Sequence, residues 1–308
     1  MMLARHLAFR LPLVTGEDVR SAQLALIRAG RLRAEPDGVF GPLTRDAVLE
    51  FQRREGLAAD GIIGPATWAR LTGQPALKRE RPWPEALRPF LPPLLAWHGA
   101  PVGRGRQRWR LTPAGIAIEG DDAPRGSAPP RIATACWTRH RNALEAAARH
   151  FAVPVELLLA TACTESGGRA DAIREEPGFT SDAATPHRVS PGLMQTLISS
   201  AREALGDARL DRAALLDAGL SAMAGAAFIA RQTRITGFDP PLVAIAYNAG
   251  SLRPGRDALD PWGLVQTRRG NGDWHADSFC AFFNDALNIF RAGTAPGAEV
   301  PSFQALLS

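Results

Sequence analysis

Apolar residues recur along this chain mostly at helical spacing, and the densest run, Val155 to Cys163, is almost wholly apolar. It follows Pro154, which suits a first helical turn, and stops at Gly167-Gly168. The pattern predicts a helix buried on most sides, with Thr164, Glu165 and Ser166 in its last turn. A second buried, Ala-rich helix is predicted from Ser221 to Ile235, with Met223, Ala227 and Phe228 in the core. Phe279, Phe283, Ala286, Leu287 and Phe290 fall on one face of a third and close the core from the C-terminal side. Shorter stripes lie near the N-terminus: Val19, Ala22, Gln23 and Leu26 after Thr15-Gly16, then Ala47, Val48 and Phe51, then Trp68 and Leu71. Trp109 to Ile118 reads as a short hairpin. The class is mainly α.

The three N-terminal stripes are organised by a repeat. Asp37-Gly38-Val39-Phe40-Gly41-Pro42-Leu43-Thr44 recurs as Asp60-Gly61-Ile62-Ile63-Gly64-Pro65-Ala66-Thr67. Asp-Gly supplies a turn that tolerates positive φ, and Gly-Pro sets a helix entry, so each copy starts a helix. A three-helix bundle over residues 15–73 follows. Residues 74–135 then read as a connector: stiff and Pro-rich around Arg81-Pro82-Trp83-Pro84 and Leu91-Pro92-Pro93, with the small hairpin inside it and a flexible loop from Asp121 to Pro130. Packing is the expected use of Trp97 and Trp109. A mostly helical domain spans 136–294, and 295–308 is expected to be a tail.

Candidate chemistry gathers in the third of these regions. Glu165 sits where the helix dipole disfavours a negative charge by ~0.3–1 kcal/mol and apolar neighbours desolvate it, and both effects raise its pKa. A carboxylic acid that keeps its proton near neutral pH can deliver it to a glycosidic oxygen and, as the conjugate base, take one back. Two polar blocks follow: Gly192-Leu193-Met194-Gln195, and Ala246-Tyr247-Asn248-Ala249-Gly250, which holds the only tyrosine. Taken separately, the first reads as a helix start with Met194 and Leu197 as core, and the second as a capped helix end.

Together and in this order, the three blocks resemble the lysozyme-like catalytic domain of the soluble lytic transglycosylases, over roughly Leu144 to Phe290. That family cleaves the MurNAc-β-1,4-GlcNAc bond of peptidoglycan. The resemblance implies that Glu165 is the single general acid/base, that Ser166 contacts substrate, that Gln195 belongs to the cleft wall, and that Tyr247 and Asn248 hold the carboxylate and the sugar. It further implies substrate assistance, in which the N-acetyl group supports the positive charge and the sugar's own 6-hydroxyl leaves a 1,6-anhydro product without any cofactor. Asp171, Glu175, Glu176 and Asp182 lie close enough in sequence that one of them could instead position a water. The connection from Ala172 to Val189 is longer and more charged than the family's, and Phe179 and His187 in it either stack on sugar or pack the loop. His275, next to Trp274, could face substrate, although a lone histidine is more often a structural hydrogen-bonding group. Residues from about Gly16 to Leu71 resemble the peptidoglycan-binding domain attached to many wall hydrolases, with Asp37, Arg45 and Asp60 as wall-binding candidates.

Charge and composition narrow the setting. The formal net charge is +5, and all the basic residues but Lys78 are Arg. A mildly basic surface suits an acidic wall polymer, whereas scattered Arg without a nucleic-acid motif argues against a nucleic-acid partner. The 6 His show no metal-ligand spacing, which argues against a metal centre. The start, Met1 to His6, is basic, but Arg10 and Pro12 interrupt the apolar run and no cleavage site follows. A protein made in the cytoplasm, reaching the wall by release or injection, is therefore expected. No run approaches a membrane span, and a monomer is expected. The 3 Cys, Cys136, Cys163 and Cys280, fit a reduced protein, with one disulfide left open. A hydrolytic muramidase on the same fold and a non-catalytic wall-binding protein remain open alternatives to a lytic transglycosylase.

Overall fold

A computed structural model describes residues 7–9, 13–57, 59–73, 83–103, 105–121, 123–127 and 129–307. Met1 to His6, Arg10, Pro12, Lys78 and Arg81-Pro82, on which several of the expectations rest, lie outside the described residues. The chain divides into two compact units: the residues up to Pro82 with Asp207–Leu210, and Trp83–Gly206 with Asp211–Ser308. Both are mainly helical, as the patterning predicts.

The first unit contains helices α1 (Glu17–Arg28), α2 (Pro42–Arg54) and α3 (Pro65–Thr72). α2 and α3 each begin with proline at the first turn behind a glycine, where the missing N–H costs nothing. Val19, Ala22, Leu26, Phe40, Val48, Phe51, Ile63 and Trp68 form one core. Both copies of the repeat are built around a buried glutamine. Gln23 accepts from Gly38 N at 2.8 Å, and its amide nitrogen reaches Asp37 Oδ1, the Val39 carbonyl and Thr44 Oγ1 at 2.8–3.1 Å. Gln52 repeats the pattern with Gly61 N at 2.8 Å and with Asp60 Oδ1, the Ile62 carbonyl and Thr67 Oγ1. Each turn is thus sewn to the helix before it.

The second unit opens with two short helices, α4 (Trp83–Leu87) and α5 (Leu91–Leu95), and an antiparallel ribbon β1 (His98–Gly99), β2 (Arg108–Thr112) and β3 (Gly115–Ile118). The predicted hairpin is β2–β3, with Trp109 opposite Ile118. The expected stiff spacer is, from Trp83 onward, part of this unit: Leu87, Leu94 and Trp109 are buried. Trp109 Nε1 donates to Asp239, whose Oδ2 also meets His98 Nε2 at 2.9 Å, and Arg110 lies over the Trp97 ring. Both tryptophans therefore serve packing.

Helices α6 (Arg131–Phe151), α7 (Val155–Ser166), α8 (Ile198–Leu205), α9 (Arg212–Leu215), α10 (Ala218–Arg231), α11 (Thr233–Thr236), α12 (Pro240–Ala249), α13 (His275–Ile289) and α14 (Phe303–Leu307) complete the unit, with a small hairpin β4 (Ile173–Glu175) and β5 (Val189–Pro191). α7 runs through the middle, against α6, α10, α12 and α13. Phe279, Phe283, Ala286, Leu287 and Phe290 are buried as expected. The single helix expected from Ser221 to Ile235 breaks at Gln232, and Phe228 is half-buried because it faces a cleft.

The segment expected as a tail, 295–308, packs against the start of α7 through residues 301–304. Glu156 is fully buried and accepts from Ser302 Oγ at 2.5 Å, Phe303 N at 3.1 Å and Gln304 N at 2.9 Å, while Val155 N donates to the Pro301 carbonyl. The three donors meet a carboxyl whose burial pushes its pKa up. All three cysteines are free and buried.

The glutamine networks carry a testable consequence. Gln52→Ala strands the buried Gly61 N–H and is expected to destabilise the first unit by about 2–4 kcal/mol. Hydrogen exchange should show lost protection in α1 to α3 with α7 unchanged.

Candidate active site

Of the 12 residues in α7, 11 are buried, and the exception is Glu165. The helix ends immediately afterwards, at Gly167 in the left-handed conformation with φ 65°. Its carboxyl is therefore fixed at the edge of the core with only a small face toward solvent. Burial raises its pKa from the ordinary carboxylate range to about 7, against the pull of the nearby Arg269 and Arg174 guanidinium groups. Arg269 is held in turn by its bond to the Thr164 carbonyl at 2.8 Å. One oxygen, Oε1, lies 2.9 Å from Nε2 of His275, the first residue of α13. His275 is buried, and its pKa is lowered to about 4 by that burial and by the same two arginines.

The Gly192–Gln195 block is a turn packed under Glu165, since α8 starts only at Ile198. A Cβ on Gly192, at φ 86°, would stand 1.9 Å from the Leu215 carbonyl oxygen, so only glycine fits. Met194 is buried as expected, and Leu197 lines the cleft. Gln195 has φ 48°, a strained conformation for its type, and is held there by two bonds from Nε2 to the Ala172 and Gly192 carbonyls at 2.9 Å. It forms part of the cleft wall. Tyr247, from α12, donates its hydroxyl to the Met194 carbonyl at 2.9 Å and meets Thr196 Oγ1 at 2.6 Å. The tyrosine ties α12 to the turn and packs edge-on against Phe228.

Asn248 is exposed at the end of α12. Its Oδ1 accepts from Thr267 N at 3.1 Å and Oγ1 at 2.5 Å. A backbone N–H can only donate, which assigns that atom as oxygen and leaves Nδ2 without a partner among the described residues. Ser166 differs from expectation. Its hydroxyl is buried between the Ala162 and Leu193 carbonyls at 3.0 and 2.7 Å, so it joins α7 to the Gly192–Gln195 turn and does not line the cleft.

Two depressions meet at Glu165. One, of about 480 Å³, is lined by Gln195, Thr196, Phe228, Tyr247 and Asn248 with Arg174, Glu176 and His187. The other, of about 310 Å³, is lined by Arg174, Asn248 and Arg268 to Gly270 with His275. The carboxyl thus lies between two halves of a groove. The long 172–189 segment is the β4–β5 hairpin, whose base is fastened by Arg212: its guanidinium binds Glu175 at 2.8 Å and Asp182 at 3.0 Å and lies over the Phe179 ring. Phe179 therefore packs the loop, while His187 faces the groove. Of Asp171, Glu175, Glu176 and Asp182 only Glu176 lines the groove, and it is paired with Arg174 at 2.9 Å.

In the first unit, Asp37 Oδ1 accepts from Gln23 and Val39 N, and Asp60 Oδ1 accepts from Gln52 and Ile62 N. Both serve their turns. Arg45 bonds to Asp46 and lies over the Phe9 ring. Among the described residues no three His, Cys, Asp or Glu gather as a metal site, and no helix is long and apolar enough to cross a membrane.

The geometry missed in the sequence is the contact from beyond the motifs: Thr267, Arg269 and His275 all reach the site from a segment with no motif of its own. Comparison with known proteins agrees with the two-unit division. Residues 15–71 match the model of the putative peptidoglycan binding domain, and residues 142–259 match that of the transglycosylase SLT domain. The chain is 43% identical over 61 residues to an uncharacterized protein in the bpoA1 3' region of Kitasatospora aureofaciens, covering 20% of this chain and 52% of that one. It is 46% identical over 59 residues to a zinc D-Ala-D-Ala carboxypeptidase of Streptomyces albus G, covering 18% and 23%. The chain spans about half the length, or less, of these curated relatives. The crystal structure of Burkholderia AP3 phage endolysin aligns with 94% of this chain and 100% of that one at 20% identity, with a TM-score of 0.27. In order along the chain, residues 15–71 are thus similar to the putative peptidoglycan binding domain and residues 142–259 to the transglycosylase SLT domain.

Proposed function

We propose that the chain is a modular, endolysin-like peptidoglycan lytic transglycosylase that cleaves the MurNAc-β-1,4-GlcNAc bond with Glu165 as its acid and base. The observation that carries the reading is the placement of one carboxyl, its pKa raised by burial to about 7, between the two halves of a groove. Glycan on either side of the scissile bond fits that division. Protonated Glu165 gives its proton to the bridging oxygen, and the C1–O bond breaks. The N-acetyl oxygen meets the charge left on C1 while the carboxylate takes the proton of the 6-hydroxyl. O6 then bonds to C1, which leaves a 1,6-anhydro end and restores the acid. In this reading the Asn248 Nδ2 donor holds a sugar oxygen, and the first unit anchors the chain to the wall.

A hydrolytic outcome has one observation in its favour: Glu176 lines the same groove and could position a water. Mass spectrometry of fragments released from purified sacculi separates the two, since 1,6-anhydroMurNAc ends support the lytic reaction and reducing ends the hydrolytic one.

Glu165→Gln keeps the shape of the groove but has no proton to give. Release of soluble fragments should fall by about 10²–10⁴-fold with wall binding retained, and retained cleavage would remove Glu165 from the mechanism. Because the acid form is required for bond breaking and its pKa is raised to about 7, the rate should be highest below that pH and fall as pH rises through it. Arg269→Ala removes a cation that favours the carboxylate. The alkaline limb should then move above pH 7, as read from the rate profile.

A further inference from the structure

Beyond the motif residues, one group touches the reacting carboxyl directly. His275 Nε2 is 2.9 Å from Glu165 Oε1, while its other ring nitrogen, Nδ1, is buried and has no hydrogen-bond partner. A histidine needed only to hold the fold would normally bond through both nitrogens or turn the second toward water.

The unpartnered nitrogen decides the protonation state. An imidazolium would leave a buried N–H with nothing to receive it, and so would the tautomer that accepts a proton from Glu165. A buried N–H without an acceptor is rarer than a buried acceptor without a donor. The remaining form is neutral, with the hydrogen on Nε2 directed at Oε1 and a bare lone pair on Nδ1. Three features support it: the ring is buried, it opens α13 where the helix dipole disfavours a cation, and Arg269 and Arg174 are close by. His275 is itself fixed, since its backbone N donates to the Thr267 carbonyl at 3.1 Å, and Thr267 holds Asn248. Glu165 Oε2 makes no hydrogen bond among the described residues and is not among the buried unpaired atoms, so it is the oxygen open to the groove.

We infer that His275 is a positioning residue for the reaction: its Nε2–H holds Oε1 of Glu165 in place, so that Oε2 carries the proton to and from the glycan. This rests on the reading of Glu165 as acid and base. The bond persists in both halves of the cycle, because Oε1 accepts from Nε2 whether Oε2 is protonated or not. The carboxyl cannot rotate to exchange its oxygens, and the proton stays on the groove side. Through Thr267, the same segment sets Asn248 and His275 together.

The charged and titratable groups facing Glu165 are Arg268 and Arg269 from the loop before α13, Arg174, Glu176 and His187 from the 172–189 hairpin, Tyr247 from α12 and His275 itself. A test must therefore change the histidine alone. His275→Leu and His275→Gln are compared with the wild type in three measurements: fragment release resolved into kcat and KM, thermal melting, and the titration of Glu165 by carbon NMR of glutamate-labelled protein. The Glu165 signal is assigned by its absence in Glu165→Gln. Removing a donor to the carboxylate disfavours the charged form, so the Glu165 titration should move upward in His275→Leu, and kcat should fall by about 10²-fold with KM nearly unchanged. His275→Gln, which can still offer an N–H, should recover part of both. An unmoved or downward titration in His275→Leu overturns the proposal, the downward case by showing that the histidine accepts. Equal loss in both variants matched by a lowered melting temperature overturns it as well, since that is what a purely structural role produces. If the wild type cleaves nothing, the functional reading fails, yet the NMR titration still decides whether His275 donates to Glu165.

Discussion

The arrangement depends on the burial of α7. A helix wrapped by α6, α10, α12 and α13 leaves no exposed side along which a charged residue can escape, so a carboxyl on it is either neutralised or placed at an end. Both solutions occur here. Glu156, in the first turn, is enclosed and satisfied by three donors from 302–304, and Glu165, in the last turn, is left with one oxygen toward the groove. Two glutamates nine positions apart thus acquire opposite roles from a single packing constraint. The surrounding elements follow from it: Ser166 and Tyr247 both fasten the Gly192–Gln195 turn beneath the carboxyl, one from α7 and one from α12.

Much of this was legible in the sequence because it is local. The apolar run before Gly167-Gly168 defined α7, the Asp-Gly and Gly-Pro spacing defined the first unit, and Trp109 to Ile118 already read as a short hairpin. The residues misread are those whose partners lie far along the chain. Ser166 stands beside Glu165 in sequence, but its hydroxyl turns toward Leu193. Asp37 and Asp60 look free on polar turns, yet each answers a buried glutamine one helix earlier. Phe228 carries a core pattern and faces the groove because the helix that would cover it, α12, brings Tyr247 there instead. Proline content suggested a stiff opening to the 74–135 connector, and there the short helices α4 and α5 bury Leu87 and Leu94. His275 read chiefly as a structural hydrogen-bonding group, since a lone histidine has no spacing to read and its partner is more than a hundred residues away.

The two units solve the same small problem by different means. In the first, a turn that must expose its backbone is stabilised by one amide side chain used twice, so the repeated octapeptide is also a repeated hydrogen-bond network. In the second, the long 172–189 excursion is stabilised by one guanidinium, with Arg212 gathering Glu175, Asp182 and the Phe179 ring. The hairpin can then present Arg174, Glu176 and His187 to the groove without a core of its own.

The Glu156 clamp also bears on how the protein comes into being. A chain made from its N-terminus completes α7 long before residues 301–304 leave the ribosome. Until they do, the helix carries an acidic group in an apolar setting with none of its three donors. The helix that carries Glu165 therefore receives the last partners of its buried first turn from a segment well over a hundred residues downstream of it.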